Sequence, residues 1–196
     1  MNGVVLCGGE SRRMGSDKGL LVKAGKTWAE LAFSNLSGLR IKTAISVNRT
    51  QVELYSQIFA FGSLVTDNEI LPVKGPLLGL LSVHQEFPAE DLLVVACDMI
   101  NLKEEILQNL LTVYKENSFE AYVFTTGERV QPLCAIYTSR GLKHILNLCL
   151  KNQLQKFSMM YALECLNTKY IAADNLAECF ANLNSVGDLS TIRSIG

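Results

Sequence analysis

The sequence predicts an α/β domain of three layers around a parallel sheet, and three observations predict it. Short unbroken apolar runs recur along the chain, the clearest being Leu92 to Cys97, as expected of strands buried on both faces. Between them lie stretches with apolar residues at helical spacing. From Lys103 to Tyr114, residues Ile106, Leu107, Leu110, Leu111 and Tyr114 follow the i, i+3, i+4 rule. The two kinds of segment alternate, and connections long enough to hold a helix pair their strands in parallel.

Taken in order, Gly3 to Cys7 is an apolar run that ends in two glycines, a buried strand running into a loop. Thr27 to Leu39 reads as a helix with Thr27 as its cap and Gly38 near its end. Thr43 to Val47 is the second strand, Gln51 to Phe59 a helix, and Ser63 to Thr66 a short third strand that stops at Asp67. Leu77 to Phe87 is a largely buried helix started by Pro76, whose fixed φ suits a first helical position. Leu92 to Cys97 follows and stops at Asp98. Ala121 to Thr125 and Leu133 to Tyr137 are strands joined by a polar loop, Thr126 to Gln131. Leu142, Ile145, Leu146 and Cys149 mark another helix. From Gln153 to Ala181 no pattern dominates.

With 196 residues, the chain suits a single domain over 1–196. Its 18 basic and 19 acidic side chains leave a formal charge of −1, which gives no global field to hold nucleic acid or a membrane surface. Phosphate binding must then come from a local cluster. No apolar run is long enough to span a bilayer, and Met1 to Cys7 lacks the basic leader and cleavage site of a signal peptide. The six cysteines include no Cys-x-x-Cys pair and mostly sit in apolar strings, so reduced, buried thiols and a cytoplasmic location are expected. His84 and His144 fall in helices without partners for a metal cluster or a serine triad, and read as structural.

In a parallel α/β fold, ligands gather at the carboxyl ends of the strands. That rule puts Gly8, Asn48, Asp67 and Asp98 along one rim. The loop after the first strand holds Gly8, Gly9, Arg12, Arg13, Gly15 and Lys18, so backbone N–H groups and cations crowd one place. It is neither a Walker A loop, since Gly15 is not followed by Lys-Ser/Thr, nor the Gly-x-Gly-x-x-Gly dinucleotide fingerprint. On composition alone a solvated charged turn suits it equally well. By position alone Asp98 suits a helix cap as well as a metal, and Asp67 and Asn48 suit ordinary turns.

Leu6, Gly8, Gly9, Ser11, Arg13, Met14, Gly15, Asp17 and Lys18 match Leu-x-Gly-Gly-x-Ser-x-Arg-Met-Gly-x-Asp-Lys position for position. This resembles the signature of the nucleotidyltransferase family that includes the molybdenum cofactor guanylyltransferases. Val47-Asn48-Arg49, Gly75-Pro76-Leu77-Leu78-Gly79, Ala96-Cys97-Asp98-Met99, Glu128-Arg129-Val130-Gln131-Pro132-Leu133 and Asn182-Leu183-Asn184-Ser185 resemble further segments of that family. The resemblance covers residues 4 to 188. It departs at Cys7, where alanine is common, and at Val186 and Gly187, which replace a usual proline and acidic residue; Ser185 with Asp188 still forms a helix capping box.

The resemblance implies a Rossmann-like α/β/α nucleotidyltransferase domain with a mostly parallel sheet. It implies GTP on Leu6, Cys7, Gly8, Gly9, Arg13, Lys18, Asn48, Asp67, Gly79 and Asp98. Arg13 and Lys18 would grip the triphosphate, Asp98 would bind Mg²⁺, and these three would be the catalytic set. Molybdenum-molybdopterin would lie on Glu128, Arg129, Asn182 and Asn184, with Lys156 the one basic side chain offered between 153 and 160. The implied reaction moves GMP from GTP to molybdopterin in a monomer that touches molybdoenzymes or cofactor-delivery proteins only transiently. A molybdopterin cytidylyltransferase, a sugar-phosphate nucleotidylyltransferase and a non-catalytic GTP-binding maturation partner are the rival readings. Gly8-Gly9 with Asn48 and Asp67 favours guanine, and the retained Lys18 and Asp98 favour turnover.

Overall fold

The computed structural model describes residues 1–8, 17–116 and 118–180 of the chain. β1 (Asn2–Leu6) is followed by a 3₁₀ turn at Lys18–Leu20 and a small hairpin of β2 (Val22–Lys23) and β3 (Lys26–Thr27). Ala24 and Gly25 turn that hairpin with φ of 51° and 79°, the positive values that a two-residue primed turn demands. α1 (Trp28–Gly38) begins at a full capping box: Thr27 accepts from Glu30 N at 3.2 Å, and the Glu30 carboxylate accepts from Thr27 N at 2.7 Å. β4 (Lys42–Val47), α2 (Val52–Ser56), β5 (Leu64–Thr66), α3 (Pro76–Glu86), β6 (Leu92–Ala96) and α4 (Glu104–Glu116) follow. The rest comprises β7 (Ala121–Thr126), β8 (Arg129–Tyr137), α5 (Ser139–Leu150), α6 (Met159–Glu164) and β9 (Thr168–Ala172), then a 3₁₀ stretch, Asp174–Phe180.

The main sheet has seven strands in the order β5-β4-β1-β6-β8-β7-β9. Only β8 runs against its neighbours; every other pairing is parallel. Alternate residues of each strand feed opposite faces, as the period of two requires. Val5, Leu93 and Val95 join Ala32 and Leu36 of α1, Tyr55 of α2 and Leu107 and Leu110 of α4 in one core. Val4, Leu92 and Val94 join Leu77 and Leu80 of α3, Leu142 and Ile145 of α5 and Leu163 of α6 in the other. These two cores, one on each side of the sheet, make the three layers.

Two expectations are corrected, and one open stretch is filled. The helix expected over Gln51 to Phe59 shrinks to Val52–Ser56, because its last turn tightens into i→i+3 bonds, Gln57 N to Leu54 O at 3.3 Å and Ile58 N to Tyr55 O at 3.1 Å. The loop expected over Thr126 to Gln131 is almost all strand. β7 and β8 meet across Gly127 and Glu128, with Gly127 at a φ of 57°. The pairing skips from Val123↔Ala135 to Thr125↔Val130, so Pro132 sits in a bulge where no ladder N–H is needed. The unassigned stretch after Gln153 supplies α6 and the edge strand β9, which is half-exposed and carries no clear periodicity.

All six cysteines are free thiols, four of them buried. His84 is buried in α3, its pKa lowered by burial and then by the nearby Lys143, while His144 lies exposed on α5. Neither joins a group of potential metal ligands among the described residues.

Candidate active site

Parallel register sets the geometry of the rim. Leu6 is level with Ser46 on one side and Ala96 on the other, and Val47 is level with Thr66. One step further along each strand lie Cys7 and Gly8, Asn48, Asp67 and Cys97-Asp98. Backbone bonds carry the register past the strand ends: Gly8 N donates to Ser46 O at 3.2 Å, Asp67 N to Val47 O at 2.9 Å and Cys97 N to Leu6 O at 3.2 Å. Strands about 4.8 Å apart thus bring residues from four segments of the chain within reach of one ligand.

Asp67 lies against two glycines. A Cβ on Gly8 would stand 3.1 Å from Asp67 Oδ2, and one on Gly79 would stand 2.5 Å from Ser46 Oγ and 3.4 Å from Asp67 Oδ1. The predicted Gly8 and Gly79 are therefore spacers that let β1 and the first turn of α3 close around the carboxylate. Burial is the largest influence on Asp67 and pushes its pKa up to about 6; the Ser46 hydroxyl, donating at 3.2 Å, pulls it down, and Glu69 pushes it up. Gly75 leads into α3 with a φ of 66°, and Pro76 opens the helix. Leu78 N donates to Gly75 O at 3.0 Å, and Gly79, one residue further on, lies beside Ser46 and Asp67.

Asn48 serves its own turn. Its Oδ1 accepts from Thr50 N at 3.0 Å, Thr50 Oγ1 at 2.7 Å and Gln51 N at 3.1 Å. On the other flank, Lys18 Nζ stands 3.2 Å from Asp98 Oδ2, with both side chains mostly buried. Cys7, beside Cys97 at the strand ends, is held protonated by burial. Of the remaining predicted residues, Gly9, Arg13, Asn182 and Asn184 lie outside the described residues.

Sequence reasoning missed Ser46, Gln51 and Tyr55. Gln51 donates to Cys7 O at 3.1 Å and to Asp17 Oδ2 at 2.6 Å, and Tyr55 OH donates to Asp17 Oδ1 at 3.0 Å. No local pattern signals these contacts, because the partners lie 34 to 44 positions apart in sequence. The one available hint was a glutamine and a tyrosine, two polar side chains, on what read as a single helix.

The second half of the rim belongs to β8, β7 and β9. Val95 is level with Cys134 in an antiparallel pair, so the start of β8 runs alongside the end of β6 and Asp98. Glu128 and Arg129 are exposed at the tip of this hairpin. They border an open groove of about 1090 Å³, together with Gln131, Met160, Asp174 and Phe180. The hairpin is tied to the groove's far wall, Gly127 N donating to Asp174 Oδ1 at 2.6 Å. Lys156 is exposed, with its amine 5.8 Å from the centre of the Tyr161 ring, and does not line the groove.

A mostly parallel sheet with helices on both faces, and a two-part rim along its strand ends, is the fold of the nucleotidyltransferases; molybdopterin-guanine dinucleotide biosynthesis protein A from Archaeoglobus fulgidus superimposes with a TM-score of 0.80, at 23% identity over 100% of this chain and 98% of that one. The chain belongs to the family of the MobA-like NTP transferase domain, whose family model matches residues 3–164. It is a nucleotidyltransferase enzyme. A relative from Geobacillus sp. strain WCH70, named a probable molybdenum cofactor guanylyltransferase, is 34% identical over 145 residues, 74% of this chain and 73% of its own. A more distant fold neighbour, Rv0371c from Mycobacterium tuberculosis, has been solved in complex with manganese; its TM-score is 0.65 at 12% identity, over 100% of this chain and 98% of that one.

Proposed function

We propose that this enzyme transfers GMP from GTP to molybdenum-molybdopterin, releasing pyrophosphate and forming the guanine dinucleotide cofactor. The observation that carries the reading is the Lys18–Asp98 pair, 3.2 Å apart on the strand-end rim between Asp67 and the groove at Arg129. The amino-terminal part would bind GTP and the carboxy-terminal part molybdopterin, within one domain over 1–196.

The chemistry needs no strong base. A terminal phosphate monoester has its second pKa at about 6, so the attacking oxygen is already largely ionised near neutral pH. The protein's task is to align this oxygen with the α-phosphorus and to neutralise charge on the departing pyrophosphate. Lys18 and Arg13 supply cations for the triphosphate. Asp98 is a hard oxygen donor at a strand end, which fits Mg²⁺; the cation's other ligands would be phosphate oxygens and water, as Mg²⁺ prefers. Bound there, Mg²⁺ would supply Lewis-acid neutralisation of phosphate charge. The Asp67 carboxylate is an acceptor suited to the N–H donors of guanosine, with Leu6, Cys7, Gly8, Gly9, Asn48 and Gly79 shaping the pocket around it. Glu128, Arg129, Asn182 and Asn184 would hold the pterin substrate.

The same reading makes the enzyme a cytoplasmic monomer that hands its product to molybdoenzymes or delivery proteins by brief contact. No described helix is long and apolar enough to cross a membrane. The test is pyrophosphate release by the purified protein with GTP, Mg²⁺ and molybdopterin. Release that requires all three supports the proposal, and GTP binding without release would favour a non-catalytic maturation partner.

A further inference from the structure

Asp67 is held at two levels. Its backbone is fixed by its own N–H, which donates to Val47 O at 2.9 Å, and by the residue that follows. Asn68 N donates to Ser82 Oγ at 2.8 Å, and Ser82 Oγ donates in turn to Leu78 O at 2.7 Å. Asn68 Nδ2 donates to Gln85 Oε1 at 2.8 Å, so the start of this loop is tied to α3 by backbone and side chain alike. What remains is rotation of the Asp67 side chain, and the Ser46 hydroxyl opposes it by donating to Oδ1 at 3.2 Å. Ser46 is fully buried against α3, where Gly79 leaves its oxygen no room for a Cβ alongside.

A hydroxyl between the buried, apolar Ile45 and Val47 costs stability unless it has a partner, and the acceptor of this one is the Asp67 carboxylate. The bond makes the two carboxylate oxygens unequal. Oδ1 is engaged, whereas Oδ2, 3.1 Å from where a Gly8 Cβ would stand, has no hydrogen-bond partner among the described residues. A hydroxyl donor also favours the charged form, against the burial that pushes the Asp67 pKa up to about 6. β1, β4 and α3 face the carboxylate with Gly8, Ser46 and Gly79, none of which titrates. Glu69, on the same loop as Asp67, is the one charged neighbour among the described residues that acts on it.

We propose that Ser46 is a positioning residue for nucleotide selection: through its bond to Oδ1 it turns Asp67 so that Oδ2 is presented beside Gly8 to the N–H donors of the nucleobase. This rests on the guanylyl reading above and adds to it a residue that itself touches no substrate. An acceptor fixed before the ligand arrives loses no rotamer freedom on binding. A site built to pair with a substrate's N–H also rejects analogues that cannot supply it, because its own polar group is then left unpaired.

Ser46→Ala removes the hydroxyl and leaves the strand intact, since the carbonyl of residue 46 still accepts from Cys7 N and Gly8 N. The first readout is the titration of Asp67 in the protein without nucleotide, followed by carboxyl-carbon NMR. Its midpoint should rise above the wild-type value of about 6, because a donor to the charged form is lost. The second is nucleotide affinity by calorimetry at pH 7. Affinity for GTP should fall by about tenfold and that for CTP by less than about twofold. The GTP loss should grow as pH falls from 8 toward 6, since the variant takes up its proton first. In the Asp67→Asn background, Ser46→Ala should change GTP affinity by less than about twofold, because the acceptor it presents is already gone, whereas purely structural damage would add. An unmoved midpoint, equal losses for GTP and CTP, or additive losses in the pair overturn the proposal. Failure of the guanylyl reading looks different: wild-type protein would prefer another nucleotide, while the Asp67 midpoint would still rise in Ser46→Ala.

Discussion

Lys18 Nζ and Asp98 Oδ2 lie 3.2 Å apart, although 80 positions separate them in the sequence. The 3₁₀ turn that carries Lys18 and the end of β6 that carries Asp98 face each other across the strand-end rim, so the cation and the carboxylate partner one another. On the proposed reading, Lys18→Ala takes one cation from the triphosphate at a position with little packing. We expect kcat to fall by about a hundredfold, with stability changed by about 1 kcal/mol or less. Activity within about twofold of wild type would make the pair a structural tie only.

Asp98→Asn keeps the shape and removes the charge. The variant should need far more Mg²⁺ for half-maximal rate and lose roughly a hundredfold in kcat, on the scale of removing one key electrostatic stabiliser. Magnesium titration of both proteins with GTP and molybdopterin checks this, and identical curves would make Asp98 a simple turn residue paired with Lys18.

Asp67 predicts a pH dependence. Its folded pKa, about 6, lies above its ordinary value of 3.8, so the folded state holds the proton more tightly than the unfolded chain. Its contribution is neutral below pH 3.8 and becomes destabilising as pH rises toward 6. Asp67→Asn should therefore be more thermostable than wild type at pH 7 to 8, with the gap closing toward pH 4. GTP affinity should move oppositely: N–H donors favour the carboxylate, so wild-type binding tightens as pH rises through about 6 and the Asn variant shows no such step. Calorimetry across that range decides it.

Gly79→Ala should couple stability to nucleotide binding. Alanine is a better helix former than glycine by about 1 kcal/mol, yet its methyl would stand 2.5 Å from the Ser46 hydroxyl. We expect net destabilisation of about 1–3 kcal/mol and weaker GTP binding as Ser46 and Asp67 are pushed aside. Adding Ser46→Ala should restore most of the melting temperature. If the single variant is as stable as wild type and binds GTP equally, the close approach of α3 has no functional weight.

Glu128 and Arg129 are exposed at the hairpin tip, so their replacement by alanine should alter stability by about 0.5 kcal/mol or less. The expected effect is confined to the acceptor: a higher KM for molybdopterin with GTP binding intact. A shift in GTP affinity instead would move these residues to the donor half.

The layers of this fold were legible because strands buried on both faces leave continuous apolar runs, as at Leu92 to Cys97. The capping box at Thr27 and Glu30 and the helix start at Pro76 are equally local signals, written within a few residues. Strand-end logic alone placed Gly8, Asn48, Asp67 and Asp98 on one rim. What stayed hidden depends on distant partners. The contacts of Gln51 and Tyr55 with Asp17 exist only once β1 and β4 are side by side. β9 was missed because an edge strand with one half-exposed face needs no strong pattern, and the polar, exposed start of β8 at Arg129 read as loop.

The central claim is the identity of the donated nucleotide. Supplying GTP and CTP together at equal concentration, with Mg²⁺ and molybdopterin, and weighing the dinucleotide products by mass spectrometry tests it directly. A guanine preference of at least about tenfold, near 1.4 kcal/mol of discrimination, is the predicted result. Equal or greater yield of the cytosine dinucleotide would contradict the account and identify a cytidylyltransferase.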